Sequence, residues 1–144
     1  MDPVNAIDIS AAGMAAQKAR LDAAALNLAN MNASSAPGVA GYRPVRAVIH
    51  AVPAAFPSLM AAGDAPAVLA RAELVPDGVS QPRLAYEPGH PDADANGMVA
   101  YPAIDHTAEM LTIVSATRAY EANLAALQVA RTLAGRALEI GAGQ

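Results

Sequence analysis

Residues 3–32 read PVNAIDISAAGMAAQKARLDAAALNLANMN, and this stretch decides the fold. It holds no proline after Pro3 and a single glycine, Gly13, and it is rich in alanine, leucine and asparagine. Asp2 before Pro3 is a helix start signal, because aspartate accepts hydrogen bonds from the first amides and proline fits the first helical position. The pair Pro37-Gly38 follows soon afterwards and stops a helix. We therefore predict one long helix over residues 3–32.

Large apolar residues recur at every seventh position of this helix. They are Ile7, Met14, Leu21 and Leu28. A seven-residue repeat is the period of a coiled coil. The positions four residues further on are Ala11, Lys18, Ala25 and Asn32. Only one side of the pattern is bulky, so a partner has to approach closely over alanine.

A second long helix is predicted over residues 107–140, which also lack proline. Alternating spacings of three and four residues connect Met110, Ile113, Thr117, Tyr120, Leu124, Leu127, Arg131, Ala134 and Leu138. Arg131 interrupts this series, and Gly135 weakens the helix by about 1 kcal/mol relative to alanine. Matching patterns at the two ends of one chain predict that the helices pair as an antiparallel coiled coil.

The region between the helices carries most of the prolines, which excludes a third long helix. Short strands are predicted at Val45–Val52, Ala70–Val75, Val79–Tyr86 and Met98–Tyr101. Pro76-Asp77-Gly78 predicts a hairpin turn, and Pro53–Pro66 predicts an extended loop. The expected fold is mainly α with a small β-rich middle part, divided into residues 1–36, 37–104 and 105–144.

Composition excludes several classes of function. Only 3% of the residues are aromatic although 54% are hydrophobic, so a large conventional core is not expected. A net charge of -4 without a basic stripe argues against nucleic acid as a partner. The chain has no cysteine, which excludes disulfides and thiolate metal sites. It shows neither a membrane-spanning run nor a cleaved signal peptide.

Two groups of residues carry the patterns of metal binding or catalysis. Asp92, Asp94, Asn96 and Gly97 match the first half of a calcium loop, but position twelve is Ala103 instead of glutamate, so a polar Asx turn is expected. His50, His90 and His106 lack the spacing of a metal or nucleophile motif. We therefore expect no enzymatic activity, no metal and no cofactor.

Two blocks of sequence resemble the flagellar axial protein family. The first is Ala24–Asn32, AALNLANMN, followed by Gly41-Tyr42-Arg43. The second is Tyr86–Asp105, YEPGHPDADANGMVAYPAID, followed by Ser115–Asn123 and Ala137–Gly141. The second block is similar to the members that form the proximal rod of the basal body.

The resemblance implies a structural rod subunit that transmits torque from motor to hook. It implies partners that are copies of the chain and other rod proteins. It also implies a place in the basal body across the periplasm, reached through the flagellar type III export apparatus without cleavage of a signal peptide. Another rod or hook-type subunit and a small helical adaptor remain as alternatives.

The residues that we expect to pack between subunits are Ile7, Met14, Leu21, Asn27, Leu28, Asn30, Met110, Ile113, Tyr120, Asn123, Leu124, Leu127 and Leu138. Ordering about 30 residues of the first helix costs roughly 45 kcal/mol. Burial of each of its few large apolar side chains stabilises the helix by about 2 to 3 kcal/mol. The helix pair is therefore expected to be loose in a monomer and ordered in an assembly.

Overall fold

A computed structural model describes residues 3–53, 68–78 and 81–142. The elements in chain order are α1 (Pro3–Asn30), β1 (Val45–Pro53), β2 (Val68–Pro76), β3 (Arg83–Tyr86), β4 (Met98–Tyr101) and α2 (His106–Ala142). This confirms the prediction of a mainly helical chain with a small β middle part. The predicted loop Pro53–Pro66 lies outside the described residues, apart from Pro53 at the end of β1.

The two helices begin and end close to the predicted positions. α1 ends two residues early, and a hydrogen bond from the Ala33 amide to the Asn30 carbonyl closes the turn after it. α2 is capped by Asp105, whose carboxylate accepts hydrogen bonds from the amides of Thr107 (2.8 Å) and Ala108 (3.3 Å). Glu109 in the first turn of α2 adds a favourable charge at the positive end of the helix dipole.

The strands form two separate two-stranded sheets. β1 pairs with β2, and β3 pairs antiparallel with β4 in a register that sets Arg83 opposite Tyr101. Three of the four predicted strands are confirmed. Of the fourth prediction, Val79–Tyr86, the structure shows a strand over Arg83–Tyr86, while residues 79 and 80 lie outside the described residues. The strand begins directly after Pro82, which has no amide to donate to a neighbouring strand.

The predicted hairpin turn at Pro76-Asp77-Gly78 is wrong. β2, which ends at Pro76, pairs with β1, while β3 pairs with β4. The Asp77 amide donates to the carbonyl of Pro44, 2.6 Å away, at the beginning of β1. The turn residues indicate only a local change of chain direction. They do not make β3 pair with β2, and β3 pairs instead with β4, whose Val99 and Ala100 are buried.

The chain forms two compact units. The first combines residues 1–19, 48–73 and 115–144, and the second combines residues 20–47 and 74–114. Most buried side chains in the first unit are small, as at Ala16 and Ala116, and Leu127 is the large one among them. Val99 is the largest fully buried side chain among the described residues, and it lies in the second unit. Both interiors are therefore built mainly from small residues, as the low aromatic content predicts.

No described helix contains a stretch that is long and apolar enough to cross a bilayer.

Candidate subunit-assembly site

The buried faces of both helices consist mainly of small residues. On α1 they are Ser10, Ala16, Ala23, Ala24 and Asn27, and on α2 they are Ala116, Leu127 and Ala130. We call these residues the internal seam. Small side chains let helix backbones approach closely. In the first unit a Cβ atom placed on Gly13 would lie 2.8 Å from the side-chain oxygen of Asn123, so α1 and α2 are in contact there.

The large side chains that were predicted to pack lie mostly outside the internal seam. On α1, Ile7, Met14, Leu21 and Leu28 are half-buried. On α2, Ile113 is half-buried and Leu127 is buried, while Met110, Tyr120, Leu124 and Leu138 are exposed. Their packing between subunits stays a prediction. Within the chain, the seven-residue pattern of α1 follows a half-buried face beside the internal seam and not the buried face itself.

Asn27 has the densest set of polar contacts in the second unit. Its side-chain nitrogen donates to the Val45 carbonyl and to the Glu109 carboxylate, both at 2.8 Å. Its side-chain oxygen accepts from the Val45 amide at 2.9 Å and from the Tyr42 hydroxyl at 3.0 Å. An amide side chain has two donor hydrogens and two acceptor lone pairs. Asn27 therefore uses its full hydrogen-bonding capacity while only 2% exposed.

These contacts connect three segments of the second unit. Asn27 belongs to α1, Val45 begins β1 and Glu109 lies in the first turn of α2. Burial raises the pKa of the Tyr42 hydroxyl, and the nearby Glu109 carboxylate raises it further, so Tyr42 stays a neutral donor. Asn27 thus has an internal role in fixing α1 against β1 and α2. Asn30, by contrast, donates only to the Leu26 carbonyl of its own helix.

The segment after α1 is held by a second set of contacts. Ser35 and Ala100 exchange backbone hydrogen bonds of 2.9 Å, which adds a bridge beside β4. The Ser34 hydroxyl donates to the Asp92 carboxylate at 2.6 Å. Gly41 approaches so closely that a Cβ atom there would lie 2.6 Å from the Ser35 hydroxyl oxygen. The segment that follows the AALNLANMN block is thereby tied to the loop between β3 and β4.

The predicted Asx turn is present at Asp94. One carboxylate oxygen accepts from the amides of Asn96 (2.8 Å) and Met98 (2.9 Å). The hydrogen bond from Met98 is the main reason why the pKa of Asp94 is lowered, with those from Asn96 adding to it. Gly97 takes a φ of +75°, a conformation that side chains rarely adopt. The half-matched calcium motif thus forms a polar turn.

Each histidine belongs to a different part of the chain's secondary structure. His50 is exposed on β1, and His106 is exposed at the start of α2. The His90 ring accepts a hydrogen bond from the Asp92 amide at 3.1 Å. Within residues 3–53, 68–78 and 81–142, no three acidic or histidine side chains cluster in a way that suits a metal ion.

α2 exposes an unusual amount of large apolar surface. Leu111, Val129, Leu133, Leu138 and Ile140 are each 59–76% exposed. Apolar side chains arranged along one helix mark a surface that contacts another protein. At 100° per residue Leu111, Val129, Leu133 and Ile140 share one face, which runs almost the whole length of α2, whereas Leu138 lies on the other side of the helix.

Sequence reasoning missed the small members of the internal seam. Ala16 and Ala23 are seven residues apart and are buried, yet attention to large residues passed over them. The hydrogen bond between Glu109 and Asn27 spans 82 positions, and no local pattern in the sequence points to it. The repeat of small residues at heptad spacing is the signal that could have located this face.

Comparison with known proteins identifies the family. A family model described as "Flagellar basal body rod FlgEFG protein C-terminal" matches residues 95–140. The chain is 36% identical over 138 residues to the flagellar basal-body rod protein FlgC of Salmonella typhimurium, covering 96% of this chain and 97% of that one. It is 33% identical over 150 residues to the FlgC protein of Bacillus subtilis, with 98% and 99% coverage. It is 34% identical over 139 residues to that of Aquifex aeolicus, with 96% and 97% coverage. The chain therefore belongs to the FlgC family of flagellar basal-body rod proteins.

Proposed function

We propose that the chain is a structural subunit of the basal-body rod that assembles with copies of itself and with other rod proteins through α1 and α2. The observation that carries this proposal is the contrast between an internal seam of small residues and an outer surface with large apolar ones, such as Leu133 and Leu138. A chain that folds for itself alone buries its largest apolar side chains. Here those side chains remain available for neighbours.

Two contacts support antiparallel pairing of the helices. Gly13 is against Asn123 in the first unit, and Asn27 is bonded to Glu109 in the second. From the first contact to the second, α1 advances by 14 residues and α2 goes back by 14. Fourteen residues are two heptads, the spacing at which the same face of a coiled coil returns.

The lengths of the helices support the need for a neighbour. α1 has 28 residues and α2 has 37. In the proposed register Pro3 lies opposite Leu133, so the last nine residues of α2 extend roughly 13 Å beyond the beginning of α1. Leu138 and Ile140 in this extension are 75% and 76% exposed. The extension would become covered only when another subunit packs against it.

Further parts of the proposal follow from the family. Residues 1–36 and 105–144 form the coiled-coil core of the assembly, and residues 37–104 form a separate β and loop region. The subunit transmits torque through helix contacts, spans part of the periplasm within the basal body and leaves the cytoplasm through the type III export apparatus with no cleavage. Its role is mechanical instead of enzymatic. Membership of a rod-protein family supports each of these statements.

The proposal is tested in cells whose own gene for this subunit is deleted. Expression of the wild-type chain should restore rods in purified basal bodies, seen by electron microscopy. Leu138→Glu should fold normally, since the side chain is exposed, but should fail to restore rods. The control is Glu139→Ala, an exposed change at the adjacent position. Intact rods in cells without the chain would favour the adaptor alternative.

A second test concerns the isolated chain. Hydrogen exchange on dilute monomer should show weak protection in both helices, with stronger protection after assembly. Helices held mainly by small side chains gain little from burial, which is the reason for this expectation. Strong protection of α1 and α2 in a monomer would contradict the dependence on neighbours.

A further inference from the structure

The loop between β3 and β4 contains the pair Asn96-Gly97, and glycine follows no other asparagine of the sequence. The backbone nitrogen of the next residue can attack an asparagine side chain, and it does so most readily in glycine, which has no Cβ atom to hinder the approach. The Asn96 side chain is exposed to solvent. Asn96 is therefore the asparagine of this chain whose side-chain amide is chemically the most reactive.

The reaction is an intramolecular substitution that needs only water. The backbone nitrogen of Gly97 gives its proton to solvent and attacks Cγ of Asn96, and the new C–N bond closes a succinimide ring. The bond between Cγ and Nδ2 breaks, and the side-chain nitrogen takes a proton from water and leaves as ammonia. Water then opens the ring at either carbonyl, so that position 96 becomes aspartate or isoaspartate. No group is oxidised or reduced.

In the folded turn, Asp94 holds both reacting groups. The Gly97 amide donates to the Asp94 carbonyl at 2.9 Å. The Asn96 amide donates to one carboxylate oxygen of Asp94 at 2.8 Å, and the side-chain nitrogen of Asn96 donates weakly to the other at 3.4 Å. The nitrogen that would attack is thus occupied as a donor, and the side chain that it would attack is tethered.

The surroundings of Gly97 add to this restraint. Gly97 is buried and has a φ of +75°. A Cβ atom there would lie 2.9 Å from the Tyr86 ring and 3.1 Å from Pro88, so the backbone has little room to turn. The negative charge of the Asp94 carboxylate also disfavours the anion that has to form on the nearby Gly97 nitrogen before the attack.

We propose that Asn96 is a site of spontaneous deamidation that Asp94 protects in the folded turn and that reacts when the turn opens. This inference goes beyond the proposed function and does not depend on it, because every group involved belongs to one loop of the second unit.

The modification changes the loop in which it occurs. Isoaspartate adds a methylene group to the main chain before Gly97, which then no longer fits beneath Tyr86. The same loop holds the segment after α1, since Asp92 accepts from Ser34 at 2.6 Å. Deamidated copies should therefore hold that segment less firmly, which hydrogen exchange at the Ser35 amide would report.

The wild-type full chain tests the protection. It is incubated in slightly alkaline buffer with and without guanidinium chloride, and mass spectrometry and isoaspartate methyltransferase labelling measure the product at position 96. The reaction should be at least about tenfold faster in guanidinium, since loss of one or two hydrogen bonds corresponds to a factor of roughly 5 to 30. Asn32, which precedes alanine, is the internal control and should react far more slowly. Equal rates at Asn96 in both buffers, or no product in guanidinium, would overturn the proposal.

A substitution tests whether Asp94 provides the protection. In buffer, Asp94→Ala should raise the deamidation rate at least about fivefold. The matched control is Asp92→Ala in the same loop, whose carboxylate contacts Ser34 and His90 and which should change the rate less than about twofold. Hydrogen exchange at the Val99 amide checks that β3 and β4 stay paired in each variant. If Asp94→Ala unpairs them, Asp94→Asn replaces it, which keeps an acceptor oxygen without the charge and should give an intermediate rate. A rate unchanged at position 94, or raised equally by Asp92→Ala, would contradict the role of Asp94.

Discussion

Replacement of Asn27 by alanine tests the polar contacts that hold the second unit together. The substitution leaves the Val45 amide, the Val45 carbonyl, the Tyr42 hydroxyl and one Glu109 oxygen without their partner. A neutral hydrogen bond contributes about 1 kcal/mol and one to a charged group about 2 kcal/mol. Removal of all four would therefore cost up to roughly 5 kcal/mol.

Two effects reduce this value. An open groove of about 260 Å³ reaches Val45 and Glu109, so water can solvate part of what Asn27 leaves behind. Alanine is also a better helix former than asparagine, by roughly 0.5 kcal/mol. We expect a net loss of about 3 kcal/mol in the free energy of unfolding, corresponding to a fall in Tm of roughly 6 to 12 °C for a chain of this size.

The measurement is thermal unfolding followed by circular dichroism, with hydrogen exchange at the Val45 amide as a local probe. Asn30→Ala is the matched control, because the side-chain hydrogen bond of Asn30 stays within its own helix, so the variant should lose less than about 0.5 kcal/mol of unfolding free energy. A third variant, Asn27→Asp, keeps the shape but sets a buried carboxylate beside Glu109, which raises its folded pKa. It should be destabilised more at pH 7 than at pH 5.

A loss below about 1 kcal/mol for Asn27→Ala, or equal losses for the variants at positions 27 and 30, would refute this reasoning.

Three further predictions concern glycines and one carboxylate. Gly97→Ala should lower the free energy of unfolding by roughly 2 kcal/mol, because the new Cβ meets Tyr86 at 2.9 Å in addition to the strain of positive φ. Gly38→Ala, with no atom within 4 Å, should lower it by only about 1 kcal/mol, and urea unfolding compares the two variants. Gly135→Ala meets no atom within 4 Å and should stabilise α2 by up to about 1 kcal/mol, and an unchanged Tm would count against it. The pKa of Asp94 is lowered in the folded turn, so the stability that its carboxylate contributes is present above the ordinary aspartate pKa and is lost as the pH falls through the folded pKa. The NMR chemical shift of the Met98 amide should follow this loss, and Asp94→Asn should abolish its pH dependence.

Local signals in the sequence were sufficient for the secondary structure. The absence of proline defines both helices, and the clustering of proline between them restricts the middle to short strands. The hairpin prediction at Pro76–Gly78 failed because a turn signal contains no information about which strand becomes the partner. β2 pairs with β1, the strand that precedes it in the chain, instead of with β3, the strand that follows it.

The site was only partly accessible to sequence reasoning. The family resemblance drew attention to Asn27, but its hydrogen-bond partners lie 15 to 82 positions away, and no periodic pattern points to them. The heptad analysis followed large residues, although Ala16 and Ala116 occupy the buried faces. Periodicity reports which residues share a face, and it does not report whether that face turns inward or toward a neighbour.

The interior of small residues has a thermodynamic consequence. Among the described residues, the largest fully buried side chain is Val99. Unfolding therefore exposes little apolar area to water, and the heat-capacity change of unfolding is correspondingly low. The dependence of stability on temperature is then shallow, with a low maximum. Such a polypeptide opens readily as a single molecule, and its resistance to heat becomes a property of the polymer that varies with protein concentration.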